Sequence, residues 1–497
     1  MNPVKKIFQL AFVATLGVVT LVGCSGGDDR DAKTATSALI NENKNIVAFG
    51  HISVQQLLDK MDYKHLPKAG ALLSGELSSW ESSVDFSKPV YFAVQAPFGF
   101  DGSPEMTYML FDVKDKDSLI DKFNGMGYES SESGDIQCFS NGDVGIGVRN
   151  TLAILLIKGG TTDFTDLLKT AFEQTEGDES TGKTESILTN PGDIVTGLNI
   201  ERLFTTANTA LNRLPADKQK TLNELVADGY IQTVTNFGNG KVTMKASNLF
   251  NDKLKDLLFF KEDPKASVVK KLGSGNAWMG MSANVDVRKM ESFLADFAPE
   301  GQQKLNGLLP GEAAFALAMM GDNPFTQMFS GQFGLVFTGN PGSGMGMIPQ
   351  FNFFLGLGSK GEFINEQASM YATMMGLQKQ GDAFITDGMA IAPRKDGLYG
   401  YTLPENKGKS LKIPSFAKDF GKKTFSMFVD FGQINVKSLE LEDGMKVLEI
   451  MDTFYMTVDR EGTEMVMTTK SNSSNILKQV GQFYAKVFED RMNEMSM

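Results

Sequence analysis

Much of this chain is written twice. Tyr230-Ile-Gln-Thr-Val-Thr-Asn leads through Gly238-Asn239-Gly240 into Lys241-Val-Thr-Met-Lys-Ala-Ser247-Asn248. Phe454-Tyr-Met-Thr-Val-Asp leads through Glu461-Gly462 into Met465-Val-Met-Thr-Thr-Lys-Ser471-Asn472. Thr233 and Thr457, and Ser247 and Ser471, share an offset of 224. Both segments read as a hairpin with a glycine turn followed by a helix, Asp252 to Phe260 in one and Asn475 to Phe488 in the other. Ile194 to Asn199 matches Phe425 to Asp430 at an offset of 231. Ile46 to Gly50, before a helix from Val54 to Met61, resembles Ala277 to Met281, before a helix from Val287 to Phe297. Between these, Met106 to Phe123 and Asn352 to Ala368 each read as a strand, a polar turn and a helix. Strands at Asp135 to Phe139 and Asp382 to Thr386 follow, each with a glycine turn at Gly142 and Gly388.

A repeat of this length restricts the fold. The spacing predicts two homologous halves, 45–262 and 270–495, joined near Lys261 to Pro264 and Leu272 to Gly275. Strands joined by hairpins, with helices after strand pairs, predict an α+β fold: an antiparallel sheet with helices on one face of each half. Phe333, Leu335 and Phe337 alternate as in a half-buried strand. The excess of Gly, Met and Pro from Asp322 to Pro349 predicts a long loop.

The N-terminus reads as an address. Lys5 and Lys6 precede an uncharged, mostly apolar run of 16 residues from Ile7 to Val22, short for a membrane span but suited to a secretion signal. Leu21-Val22-Gly23-Cys24 resembles a bacterial lipobox. That resemblance implies cleavage between Gly23 and Cys24, removal of residues 1–23 and acylation of the Cys24 thiol, with anchoring at ~0.8 kcal/mol per buried CH₂. Residues 24–44 are expected to form a flexible tether. Asp28-Asp29 is similar to the acidic export signal of Bacteroidetes lipoproteins, and Ser25 permits sorting outward.

Composition removes several functions. The net charge of −12 falls to −14 once the signal's lysines are gone, which argues against nucleic acid as a partner. Two His and two Cys leave little for a multi-ligand metal site or a disulfide framework. No cofactor and no metal site is expected. Gly177 to Thr184 fits the P-loop pattern, but a helix-like segment precedes it, and Asp178, Glu179 and Glu185 would oppose phosphates. Gly356, Gly358 and Gly361 fit a dinucleotide fingerprint, with Asp382 beyond. The matching turn of the first half, Val113 to Ser118, has no glycine, so neither motif is assigned a nucleotide. His51 and His65 lack a nucleophile elbow. Cys138 reads as a buried thiol. Asp117 is expected to cap the helix before Leu119, and Asp117-Ser118-Leu119 fits a loose O-glycosylation triplet. The 27 Met, including Met370 and Met374 at helical spacing, are expected mainly in the core.

The lipobox, the acidic tether, the length of about 500 residues and the tandem halves together resemble a Bacteroidetes family of exported lipoproteins. That family's domain has no assigned activity, so the resemblance carries over no catalytic residue. It implies an outer-membrane protein held by its N-terminal lipid, exposed at the cell surface or, as the alternative, on the periplasmic face. The expected role is non-enzymatic binding of an envelope protein or extracellular ligand. Two alternatives stand beside it: an envelope hydrolase with carboxylates in a cleft between the halves, and a structural component of an envelope complex.

Overall fold

The computed structural model describes residues 30–495 except 67–74, 76, 78, 99–102, 160–162, 207–213, 298–322, 340–349, 387, 403–409 and 435–442. Gly23, Cys24 and the signal segment lie outside the described residues. No described helix is long and apolar enough to cross a membrane.

The first half runs α1 (Ala32–Glu42), β1 (Ile46–Ile52), α2 (Val54–Met61), β2 (Val90–Phe98), β3 (Pro104–Asp112) and α3 (Lys116–Gly125). Next come β4 (Glu129–Ser133), β5 (Ile136–Asn141), β6 (Val144–Arg149), β7 (Leu152–Ile157), α4 (Phe164–Thr175) and α5 (Lys183–Leu188). It closes with β8 (Ile194–Asn199), α6 (Ile200–Thr206), α7 (Ala216–Val226), β9 (Tyr230–Gly238), β10 (Lys241–Leu249) and α8 (Asp252–Leu257). The second half runs β11 (Gly275–Asn284), α9 (Val287–Phe297), α10 (Pro324–Met328), β12 (Phe329–Thr338), β13 (Gln350–Leu357) and α11 (Glu362–Met374). It continues with β14 (Gln378–Gln380), β15 (Ala383–Thr386), β16 (Met389–Arg394), β17 (Gly397–Thr402) and a short β18 (Leu411–Lys412). The chain ends on β19 (Phe425–Asp430), β20 (Met451–Asp459), β21 (Gly462–Thr469) and α12 (Ile476–Met495).

The fold is mixed α and β on antiparallel sheet. In the first half the strands pair in the order β4-β5-β6-β7-β3-β2-β1-β8-β9. In the second the order is β14-β15-β16-β17-β13-β12-β11-β19-β20-β21. The first nine positions of the second order run parallel to the nine of the first, and β21 extends the second by one strand. Register agrees as well: His51 faces Val195, and Ser282 faces Ser426, both strands being displaced by the same 231 positions. A bulge interrupts the pairing at Ile46/Ala48 and again at Ala277/Met279.

The compact units cut across the sequence segments 45–262 and 270–495. Of the described residues, one unit holds those from 30 to 206, 226–242 and 472–495; the other holds 214–225 and those from 243 to 471. The terminal helices explain the difference. Asn475 caps α12 through Leu477 N, while its side-chain amide donates to the Phe237 carbonyl in the first unit (2.9 Å). α12 then packs along α2, where Lys478 meets Asp62 at 2.6 Å. Asn251, its counterpart, caps α8 and donates to the Leu225 carbonyl in the second unit (2.8 Å). Phe259 accepts from Asp286 N just before α9 (2.9 Å). Each unit is thus completed by a helix whose sequence belongs to the other half.

In the first unit, Trp80, Phe86, Phe111, Phe123 and Phe139 form one core on a sheet face. α4 covers other positions through Phe164, Leu168 and Phe172. It seats closely because a Cβ on Gly145 would lie 2.3 Å from the Phe164 ring. In the second unit Val268, Leu272, Val336, Phe354, Phe420 and Phe428 form a core on the sheet face that carries Ser282.

Four expectations change. Residues 32–42 are not tether but α1, with Ala32, Ala35, Ala38, Leu39 and Ile40 buried. Alanines at i, i+3 and i+6 give a thin helix face that packs closely, and Asp31 caps it by accepting from Thr34 N at 2.8 Å. The expected loop from 322 to 349 contains α10 and β12, because the Phe333/Leu335/Phe337 alternation outweighs the local glycines. Asp115, not Asp117, caps α3, accepting from Ser118 N at 3.0 Å. The helix expected to reach Phe260 stops at Leu257, and Phe260 forms a β-bridge with Val285.

Candidate functional site

His51 sits in the centre of the first unit's sheet, where β1 lies between β2 and β8. Its cross-strand partners are Tyr91 on β2 and Val195 on β8. The His51 and Tyr91 rings stand 5.6 Å apart, and both residues are buried. His51 Nε2 lies 3.1 Å from the Asn190 carbonyl. A carbonyl only accepts, so Nε2 carries the proton. Nδ1 is buried and has no partner among the described residues. Burial lowers the His51 pKa from 6.5 against the opposing carbonyl bond, so the ring is neutral at pH 7. Burial, with smaller contributions from Asp31 and Asp112, raises the Tyr91 pKa and keeps the phenol protonated.

The loop that supplies Asn190 is pinned at several points. Ser53 donates Oγ to the Gly192 carbonyl (2.9 Å) and its N–H to the Asp193 carbonyl (2.8 Å). Asp193 is buried, holds Lys60 through both oxygens at 2.6 Å and accepts from Phe237 N at 2.6 Å. A cavity of about 470 Å³ opens beside this loop, lined among others by Lys33, His51, Tyr91, Asn190 and Asn236. Those residues come from α1, β1, β2, the loop before β8, and β9. The strand order joins them across 200 positions of sequence, which is why linear spacing gave no sign of the site. Among the described residues no Asp or Glu lines it.

At the equivalent place in the second unit, Ser282 replaces His51 and Ser426 replaces Val195. Their hydroxyls lie 2.7 Å apart, and Ser426 Oγ accepts from Gly421 N at 3.0 Å. Gly334 stands where Tyr91 stands in the first unit. Leu272 and Val268 fill the space: each would lie 2.9 Å from a Cβ added there.

The sequence motifs are placed as follows. Lys183 of the P-loop-like segment pairs with Asp228 at 2.9 Å, and Thr184 Oγ1 meets the Tyr230 hydroxyl at 3.2 Å. A helix precedes that segment, as expected. Gly356 lies within β13, and Gly358 and Gly361 lie between it and α11, but their bare Cα positions face neighbouring chain. A Cβ would meet Ser330 Oγ, the Gln327 carbonyl or Leu357 at 2.2 to 2.5 Å. The glycines allow close packing, leaving no phosphate cradle there. His65 is exposed and pairs with Asp62 at 2.5 Å. Cys138 is buried, and burial pushes its thiol up to about 11, which suppresses the thiolate. Ser118 Oγ lies 2.7 Å from Ser83 Oγ.

The described buried carboxylates are held by structural bonds. Asp193 is held as above. Glu291 accepts from Phe325 N, Thr326 N and Thr326 Oγ1 at 2.8 to 3.1 Å. Asp112 pairs with Lys88 at 3.1 Å, and burial raises its pKa. No described cluster of three or more His, Cys, Asp or Glu could hold a metal ion.

A second feature lies on α11. Met370, Tyr371 and Met374 are exposed on this helix, and Met375 just beyond it; Met374 and Met375 are 72% and 79% exposed. These thioethers face solvent, against the expectation of core filling.

No family model and no curated protein matches the chain. Among solved structures, "Structure of crystal form I of TP0453" aligns at 10% identity with a TM-score of 0.27, covering 45% of this chain and 81% of that one. "Structure of crystal form IV of TP0453" aligns at 8% identity and 0.26, covering 42% and 79%. Scores this low define no common fold.

Proposed function

We propose that this chain is a lipid-anchored protein of the bacterial outer membrane, exposed at the cell surface, that binds a ligand without chemically converting it. Its two halves arose by duplication of one α+β unit, and the first became the binding half. The lipobox ending at Gly23-Cys24 supports the anchor. The His51 cavity carries the binding reading. Its histidine is neutral and already bonded to a backbone carbonyl, its serine bonds Gly192, and no described carboxylate lines it. Such a wall orients a ligand but lacks an activated nucleophile or an acid/base pair.

The anchor is tested by metabolic labelling with an alkyne fatty acid. Cys24→Ser is expected to abolish the label, and label that persists on the variant refutes the lipobox reading. Protease added to whole cells is expected to remove the protein; full protection rules out surface exposure. A structural role in an envelope complex is the second reading, favoured by the exposed apolar face of α11.

A further inference from the structure

We propose that the edge of the first unit's sheet at the N-terminal end of α1, carrying Lys88, Lys114 and Asp135, rests against the lipid headgroups of the membrane that holds Cys24, kept there by a short connection. The proposal rests on the lipobox reading of Cys24 and adds which surface of the body meets the membrane.

The chain is fixed from Arg30 onward. The Arg30 guanidinium donates to the carbonyls of Thr175 (3.0 Å) and Gly177 at the C-terminal end of α4. Unpaired carbonyls and the helix dipole favour a cation at such an end. Asp31 caps α1 through Thr34 N at 2.8 Å, and Ala32 N donates to Asp112 Oδ1 at 3.4 Å. Three successive residues are thus tied to the body. Behind them α1 is buried without interruption from Ala35 to Ile40, so the helix lends no slack. Six Cα-to-Cα steps separate Cys24 from Arg30, and six steps span at most about 22 Å in any conformation. The body is therefore held at Arg30 within about 22 Å of the acylated cysteine.

The direction of α1 decides which surface is held there. Its N-terminal end meets Asp112 at the end of β3. At its other end Asn43 donates to Gln95 Oε1 (2.8 Å) and to the Tyr108 hydroxyl (3.3 Å), farther back on β2 and β3. α1 thus runs back along β3, and the chain before it leaves at the edge where β3 ends. Lys88 precedes β2 at that edge, Lys114 follows β3, and Asp135 precedes β5. Arg30, Asp135 and Asn150 line one cavity of about 190 Å³, which places the starts of β5 and β7 beside the exit point. Lys88, Lys114, Asp135 and Asn150 are all exposed. The exposed large apolar residues of the first half, Phe98 and Met126, lie at the far ends of β2 and α3. The edge therefore offers charged and amide groups to the headgroup layer and, among the described residues, no large apolar side chain to insert below it.

Labels at the two ends of β5 test the proposal. Asp135→Cys and Asn141→Cys, each carrying an NBD fluorophore, put one probe at this edge and the other about 20 Å away along the strand. Both positions are exposed. Cys138 between them is buried with its thiol held protonated, so it does not compete for label. The full-length acylated protein is reconstituted in phosphatidylethanolamine–phosphatidylglycerol vesicles that carry a nitroxide on part of their headgroups. Quenching at position 135 is expected to exceed that at position 141 by about twofold or more, given their separation along the strand. Inserting about 20 Gly/Ser residues between Asp29 and Arg30 is expected to make the two labels equal, with flotation of the protein on the vesicles unchanged. Equal quenching without the insertion, or a difference that survives it, overturns the proposal and leaves the anchor standing. Protein that does not float with the vesicles, or Cys24→Ser protein that still floats, overturns the anchor reading and the proposal with it.

Discussion

The two halves solve the same packing problems with different residues, and two of the comparisons are unusually direct. In the first unit Phe49 of β1 lies opposite Gly197 of β8; in the second, Gly280 of β11 lies opposite Phe428 of β19. One ring fills the space in each case, but it comes from the opposite strand. Phe49 and Phe428 are both fully buried, and a Cβ on Gly280 would lie 2.5 Å from the Phe428 ring. What is common is volume and register, while residue identity is free to cross the ladder. The helices after β3 and β13 differ in the opposite sense. Both end in the same left-handed glycine cap, Gly127 and Gly376, with Tyr128 N donating to the Phe123 carbonyl and Leu377 N to that of Ala372. Aligned on that cap, buried Leu119 and Phe123 correspond to Ala368 and Ala372. Outward Asp121, Lys122 and Gly125 correspond to Met370, Tyr371 and Met374. α11 keeps an apolar inner face of small alanines and carries its bulky apolar residues on the face that is polar in α3. An apolar face directed at water needs a partner to explain it, whereas the transposed Phe needs only its own neighbour.

Each half has one tryptophan, Trp80 in the first unit and Trp278 in the second, so Trp278→Phe and Trp80→Phe variants report the units separately. The largest expected effect is truncation after Ser471. Removing α12 uncovers Met61 and Leu66, which lie beside Gly481. The Trp80 transition is expected to move to much lower denaturant while the Trp278 transition stays; equal shifts in both would break the exchange of terminal helices. Next, Phe123→Ala is expected to cost about 3–5 kcal/mol, and Met374→Ala on α11 within about 0.5 kcal/mol, both by urea unfolding. A third contrast is with pH. His51 has its folded pKa lowered, so an unfolded chain takes up a proton that the folded one refuses. The Trp80 transition should therefore lose stability as pH falls below about 6.5, by at most ~1.4 kcal/mol per unit. A His51→Gln variant is expected to lose that component; an unchanged slope would remove His51 as its source. The smallest effect is expected from Met370→Asp with Tyr371→Lys, which installs the first half's residues on α11. Stability should change by about 0.5 kcal/mol or less, while binding of a hydrophobic dye falls.

The repeated strand-and-turn pattern was legible because strand periodicity and glycine turns are local. It gave the helices at Val54 to Met61 and Val287 to Phe297 with the bounds seen in the structure. It failed at α1, where small residues looked like a tether; their burial depends on α4 and on β2, encoded far along the chain. The exchange of α8 and α12 was illegible, since a helix's sequence shows its apolar stripe but not which sheet receives it. Among the cavity residues, His51 was visible only as a histidine at a strand end. Lys33, Tyr91, Asn190 and Asn236 had no signal until the strand order placed them together.

The most direct test of the claim that both units are built on one register is a double-mutant cycle in the second unit. Phe428→Gly alone is expected to cost about 3–5 kcal/mol from the lost ring. Gly280→Phe alone is expected to cost about 1–3 kcal/mol from overpacking. Combined, they recreate the first unit's arrangement, Phe on the first strand and Gly on its partner. The pair is expected to cost less than Phe428→Gly alone, read from the Trp278 transition in urea. Costs that simply add would contradict it.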